Sequence, residues 1–228
     1  MFLLVLGVVL LLLVLFPQFW VKYVMRKHHK ADPAIPGTGG ELAEHLVQRY
    51  ALEGIKVEQC EEGRDHFDPN DRAVRLSPSN YTGKSLTAVA VAAHEVGHAI
   101  QFHRNEPIFE LRKKYIPLAA RFTRFGIALM WSIPIAAIVL RSPVAVATVL
   151  SLSILLQVIG ALAYLIILPE EWDASFNKAL PILTQGDYIN EKQQGAVREV
   201  LRAAALTYFA AALANVFNIG RWLMVLRR

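Results

Sequence analysis

Five residues carry the strongest chemical signal in the chain: His94-Glu95-Val96-Gly97-His98, an instance of the pattern H-E-x-x-H. On a helix, positions i and i+4 project from one face, so both imidazoles can reach a single metal ion. Glu95 lies one residue on, placed to contact a water beside the metal rather than the metal itself. Two imidazoles with an open water position suit zinc, which lowers the pKa of that water toward about 7. Glu95 can then take its proton as it attacks a carbonyl. Between Ser85 and Phe102 the only charged residue is Glu95. This is therefore the pattern of a buried helix, in which two histidines and a glutamate would be costly unless paired. The plainer alternative is a pair of core histidines hydrogen-bonded to backbone, with Glu95 in a salt bridge elsewhere.

A catalytic zinc site needs a third protein ligand. The extended metzincin pattern requires glycine at 101 and histidine at 104, where this chain has Gln101 and Arg104, and His103 is one residue out of register. The other solution is an acid from a later helix. The downstream acids are few, and Glu170, Glu171 and Asp173 cluster in Leu-Pro-Glu-Glu-Trp-Asp-Ala-Ser at 168–175. The residues alone leave these three open. They equally fit an acidic helix start after Pro169, favourable to the helix dipole.

The elements that must position these groups are largely apolar. Of 228 residues, 54% are hydrophobic and only 19% charged, below the roughly 25% of soluble domains, and mean hydropathy is +0.35. A disordered chain is excluded. The single cysteine, Cys60, excludes an intrachain disulfide. The net charge of +5 needs no nucleic acid, because basic residues next to membrane spans are retained on the cytoplasmic side. Residues 2–16 are uninterruptedly apolar and are followed by Lys22, Arg26, Lys27 and Lys30, which predicts an uncleaved span with its amino terminus outside. From Phe125 to Leu168 the only charge is Arg141, in the break Arg141-Ser142-Pro143, which predicts a hairpin of two spans. A further apolar stretch, 203–226, reads as a fourth span or an interfacial helix.

The expected organisation is a transmembrane anchor at 1–24 and a basic, Pro/Gly-rich linker at 25–40. A zincin-like part with the H-E-x-x-H helix follows at 41–115, then a transmembrane hairpin at 116–168. Residues 169–202 form a cytoplasmic segment with the third acid, and 203–228 the last transmembrane or interfacial helix. Within the polar part, a helix is expected at 41–53 with Gly54 as its stop, and short strands at 55–59 and 73–76 around a turn-rich loop. The fold class is thus a mainly α membrane protein of about four transmembrane helices, with a small α+β metalloprotease part on the cytoplasmic side.

The segments Ala-Val-Ala-Ala-His94-Glu-Val-Gly-His98-Ala-Ile-Gln and Leu168-Pro-Glu-Glu171-Trp-Asp-Ala-Ser175 resemble the YugP-type neutral zinc metallopeptidases of bacterial membranes. Asp65-His-Phe-Asp-Pro69, Arg75-Leu-Ser77 and the apolar run 204–214 match as well, so the resemblance runs from about residue 40 to the end. It implies a zinc-dependent endopeptidase. More distantly the chain is similar to HtpX-like and prenyl-protein-processing membrane proteases (gluzincins), whose third ligand is a glutamate on a later helix. Their register, Glu-x-x-Ala with an acid at the fifth position, falls on Glu171 and Ala174, but the fifth position is Ser175.

On that reading His94, His98 and Glu171 hold one zinc per chain, Glu95 is the general base, and Glu170 is the reserve ligand. Asp173 is expected to support a ligand from behind. His66 is a candidate for stabilising the oxyanion or holding substrate, or a plain loop histidine. Asn80 and Tyr81 are expected to cap the metal helix, and strand 73–76 could bind an extended peptide along an open edge. The implied partners are a protein or peptide substrate at the membrane and the lipid bilayer, with no nucleic acid, and the implied location is a bacterial inner (cell) membrane, multi-pass, with the active site facing the cytoplasm. The competing readings are a non-catalytic membrane metal-binding scaffold and a site-2-type intramembrane protease.

Overall fold

The computed structural model describes residues 2–216, with side chains described from 15 to 210. The chain divides into two compact units: one of residues up to 18, 111–168 and from 208 on, the other of 19–110 and 169–207.

The first unit is helical and apolar. Its main elements are α5 (Phe109–Leu140, most of which lies in this unit) and α6 (Pro143–Ala163). The expected break between them is present: Arg141 takes a positive φ, Pro143 opens α6, and the Ser142 hydroxyl accepts from the Ala145 amide. Small residues let the two backbones approach closely. A Cβ on Gly126 would lie 2.8 Å from the Ser153 carbonyl oxygen, and the Ser153 hydroxyl donates to the Gly126 carbonyl at 2.7 Å. Among the described residues, two helical runs are long and apolar enough to cross a membrane, Phe109–Leu140 and Pro143–Gln185. The amino-terminal segment is helical as expected, α1 (Phe2–Lys27). The last apolar segment is followed within α9 (Glu191–Val216), and residues 217–228 lie outside the described residues.

The second unit holds the chemistry. Helix α2 (Gly39–Arg49) opens with a capping box, in which the Thr38 hydroxyl accepts from the Glu41 amide and the Glu41 carboxylate accepts from the Thr38 amide. It ends earlier than the expected 53. Ala51 turns left-handed with φ of 49°, and the Leu52 amide reaches back to the Val47 carbonyl, a closing turn that stops the helix before Gly54. Three strands follow: β1 (Lys56–Gln59), β2 (His66–Asp68) and β3 (Ala73–Leu76). Their spatial order is β1-β3-β2, with β3 parallel to β1 and antiparallel to β2. Strand 73–76 is therefore central, and both its backbone edges are taken. This corrects the expectation of an open edge there.

One face of the sheet brings Val74 and Phe67 inward, and Phe67 packs on Phe102 and Phe109. Phe102 belongs to α4 (Leu86–His103), the helix that carries the H-E-x-x-H motif and is buried from Thr87 to Gln101. Its cap is not Asn80 or Tyr81, which sit in the short helix α3 (Pro78–Tyr81), but Ser85, whose hydroxyl accepts from the Ala88 amide. Ser85 stands three residues before that amide, where the chain is still extended, as capping requires. At its start α4 is tied to the end of α1: the Thr87 hydroxyl donates to the Met25 carbonyl and its amide to that of His28.

After α7 (Leu168–Trp172) the backbone winds as a π-helix over Asp173–Ala179 before α8 (Leu180–Gln185). The π segment packs on α4 at close range. A Cβ on Gly97 would lie 2.7 Å from the Ala174 carbonyl oxygen, so glycine at the fourth position of the motif is what admits the second acid-bearing segment. Replacing Gly97 by alanine forces backbone apart and should cost about 1–3 kcal/mol, with loss of metal. Gly195→Ala, where a Cβ meets nothing within 4 Å, should leave stability unchanged or raise it by up to about 1 kcal/mol. Thermal unfolding of the two detergent-solubilised variants beside the parent checks both.

Candidate metal centre

Three buried side chains converge where α4 meets α7. The Nε2 atoms of His94 and His98 stand 3.2 Å apart, His98 Nε2 lies 3.2 Å from Glu171 Oε2, and His94 Nε2 lies 3.4 Å from the same oxygen. A tetrahedral zinc with bonds of roughly 2.0–2.1 Å needs donor atoms about 3.3–3.4 Å apart. The triangle fits that demand, and it is the one group of metal-capable side chains found among the described residues. The three side chains are almost wholly withdrawn from solvent, at 4%, 4% and 1% exposure.

The atoms behind the rings identify what the triangle is for. Ser175 donates its hydroxyl proton to the Leu201 carbonyl at 3.1 Å, so its oxygen accepts from His94 Nδ1 at 3.0 Å. His98 Nδ1 lies 2.9 Å from Gln101 Oε1 and 3.3 Å from Glu170 Oε1, both acceptors. In the neutral rings each proton therefore sits on Nδ1, and each Nε2 presents a lone pair. Two lone pairs and a carboxylate oxygen then face one another with no proton among them. A cation resolves that arrangement, and the outer acceptors set ring orientation as in known metal–histidine sites.

Glu95 is buried beside this group, 7% exposed. Burial pushes its carboxyl above the ordinary value, the two histidines pull it down, and Glu171 and Asp65 push it up again. Its electrostatic neighbours thus include all three side chains of the metal-capable trio. Glu170 is fully buried but stands on the Nδ1 side of His98, away from the triangle. Asp173 does not touch either imidazole. It accepts from Gln101 Nε2 at 2.9 Å, from Asn177 Nδ2 at 2.9 Å and from Lys178. Burial pushes its carboxyl up, but these hydrogen bonds outweigh burial and hold it below the usual range. His66 is half-buried in β2, its Nδ1 hydrogen-bonded to the Arg64 carbonyl at 2.7 Å, and its described bond ties it to its own loop rather than to the trio. The Cys60 thiol is pushed up to about 11 by burial and by Asp65 and Glu95, and donates to the Arg64 carbonyl. It therefore stays protonated.

Two residues of the site were not assigned a place in it from the sequence. Gln101 appeared only as the absence of a metzincin glycine, and Ser175 only as the absence of an aspartate. The available signal was spacing: Gln101 lies three residues beyond His98 and Ser175 four beyond Glu171, the neighbours of a helical face.

Over residues 2–227 the chain matches the family described as "Putative neutral zinc metallopeptidase". The chain belongs to this family. It is also 34% identical over 209 residues to "Putative membrane protease YugP" of Bacillus subtilis (strain 168), covering 91% of this chain and 89% of that protein. No solved structure matches it. In this zinc metallopeptidase family member the buried trio is the possible metal site, and zinc is the metal that the family and the donor set agree on.

Zinc content of the purified protein should be about one per chain. Glu171→Ala should lose most of it, while Glu170→Ala, which removes a group behind His98, should keep it. Ser175→Ala should retain the fold but weaken zinc binding by roughly 10–100-fold. Atomic absorption on the three variants, with chelator competition for the last, reads each outcome.

Proposed function

We propose that the chain is a membrane-embedded, gluzincin-like zinc endopeptidase that cleaves membrane or membrane-proximal proteins, with His94, His98 and Glu171 as ligands and Glu95 as general base. The observation that carries this reading is a metal-sized triangle of two imidazoles and a carboxylate, with a buried carboxyl, Glu95, next to His94 on the same helix. Zinc held there supplies Lewis acidity, lowering the pKa of water to near 7 and polarising the scissile carbonyl. Glu95 takes the proton from the attacking water on its carboxylate and returns it to the nitrogen of the leaving amine. Ser175 and Gln101 orient the two rings through their Nδ1 atoms. His66 has no described contact that gives it a part, and none is assigned.

The membrane half of the proposal is supported by the two apolar helical runs and by the chain's relation to a protein named as a membrane protease. Glu171 follows the end of the apolar stretch at Leu168 by three residues of sequence, less than one helical turn. The substrates that such a chain meets are transmembrane proteins and their juxtamembrane loops. The clustering of Lys22, Arg26, Lys27 and Lys30 after the first apolar segment favours a cytoplasmic active site in the bacterial cell membrane. A site-2-type enzyme would carry its motif helix within the bilayer. Helix α4 instead packs on the sheet of the second unit and is not one of the membrane-length apolar runs.

A scaffold that only binds metal needs the three ligands but not Glu95. Glu95→Gln should therefore keep one zinc per chain and lower peptide-bond cleavage by about 10²–10⁴-fold, read with quenched fluorescent peptides on protein reconstituted in vesicles. Cleavage at the parental rate in that variant would remove the peptidase mechanism. Single cysteines introduced beside Glu171 in a Cys60→Ser background should react with impermeant maleimide from the cytoplasmic side of inverted vesicles. Labelling from the outside alone would reverse the assigned orientation.

A further inference from the structure

Helix α5 carries charge that its own packing does not use. From Leu111 to Leu140 there is no acidic residue, and Arg112, Lys113, Lys114, Arg121 and Arg124 all fall in the first half of the helix. Arg112 is committed within the first unit: it donates to the Tyr208 hydroxyl at 3.1 Å and lies over that ring. Arg121 and Arg124 are exposed, and among the described residues neither forms a hydrogen bond or an ion pair.

Both arginines stand away from the seam with α6, which runs through Ala119 and Gly126. A Cβ on Gly160 would lie 3.0 Å from the Ala119 carbonyl oxygen, and Ser153 donates to the Gly126 carbonyl. On the outer side, Arg124, Trp131, Ile135 and Ile138 recur at helical spacing along one exposed stripe. A cation at the head of an apolar stripe offers the two chemistries that a phospholipid needs, one for its headgroup and one for its acyl chains.

Helix length sets the depth of these arginines. Residues 125–140 carry no charge, and the exposed Arg141 ends the run. Those residues make about 24 Å of helix, short of the roughly 30 Å of a hydrocarbon core. With Arg141 at one face of a bilayer, the core reaches back on the other side to about residue 121. Arg121 and Arg124 then root at the edge of the core, where hydrocarbon is costly for a guanidinium and its long stem lets it reach out to the phosphates. The planar guanidinium matches a pair of phosphate oxygens. A zwitterionic headgroup brings its own ammonium and leaves the arginine charge unbalanced, whereas an anionic one neutralises it.

We propose that Arg121 and Arg124 form a binding site for anionic phospholipid headgroups, with the acyl chains lying along the stripe from Trp131 to Ile138. The inference rests on the membrane reading above for its setting, and the preference for anionic lipid is a separate claim.

The helix supplies its own reporter. With Trp20, Trp172 and Trp222 replaced by phenylalanine, Trp131 is the remaining tryptophan of the full-length chain. In reconstituted vesicles its fluorescence is quenched by lipids with brominated acyl chains, and competition gives the relative affinity of phosphatidylglycerol over phosphatidylcholine beside it. That ratio should be at least about five-fold, the gain from one cation near an anionic surface, and should shrink at about 1 M salt. Arg121→Gln with Arg124→Gln should bring it close to one, while Arg121→Lys with Arg124→Lys should keep part of it.

Equal quenching by the two lipids in the parent, or a ratio that the double glutamine variant leaves unchanged, would overturn the proposal. So would loss of the preference to added inorganic phosphate at constant ionic strength, which would assign the arginines to a soluble anion. If the double variant does not fold, an unchanged ratio in both Arg121→Gln and Arg124→Gln overturns it equally. No quenching of Trp131 by either lipid would instead sink the membrane reading and the site with it, whereas equal quenching removes only the headgroup site.

Discussion

Everything in the second unit is arranged around one electrostatic problem: two imidazole lone pairs and a carboxylate oxygen meet within 3.4 Å among side chains almost wholly withdrawn from solvent. Acceptors facing acceptors in a dry interior are strongly unfavourable unless a cation lies among them. The cation in turn needs ligands that do not swing away, which explains the density of hydrogen bonds immediately behind it. Metal binding and the packing of this region are therefore one equilibrium rather than two, as expected where a site is assembled from separate stretches of chain.

The packing that permits this is unusually close. The motif helix meets the segment carrying Glu171 through Gly97, where there is room for a hydrogen and nothing larger. On the other side of the contact the backbone winds as a π-helix from Asp173 to Ala179. Within and just before that segment, Glu171 meets the histidines, Asp173 meets Gln101 and Ser175 meets His94, three side chains of one short stretch on one neighbour. Local departures of this kind are common where function and not helix propensity sets the geometry.

What the sequence made legible follows from how local each signal is. The motif helix could be read because spacing i, i+4 and an unbroken apolar setting are both local. The hairpin could be read because the only charge from Phe125 to Leu168, Arg141, falls at the turn. Glu170 and Glu171 could not be separated by composition. They are adjacent, both buried, and differ by about 100° around one helix, so the choice required a register taken from the resemblance to HtpX-like proteases. The central position of strand 73–76 was hidden for a different reason: strand order depends on which segment returns to which edge, and four residues carry no trace of that. The cap was misplaced by a few residues because Asn80 and Ser85 are both capping types, and only the φ, ψ angles of Ser85 select between them. Gln101 was invisible as a site residue because a glutamine on an apolar helix has no motif of its own.

The serine at position 175, where the resemblance to HtpX-like proteases implied an acid, has a physical account. Three carboxyl groups, those of Glu95, Glu170 and Glu171, are already buried around two histidines, at 7%, 0% and 1% exposure. Divalent zinc can offset two negative charges, and each further buried anion would need its own partner or would be driven to neutrality. Behind His98 the outer acceptors are an amide and Glu170. An aspartate behind His94 would add a fourth carboxyl to a pocket whose nearest basic group on this element, Lys178, is already held by Asp173 and Glu106. A hydroxyl that passes its own proton to the Leu201 carbonyl accepts from His94 as an aspartate would, and adds no charge. A serine there therefore fits the presence of Glu170, since an acid on one side of the pair of histidines makes an acid on the other side unfavourable.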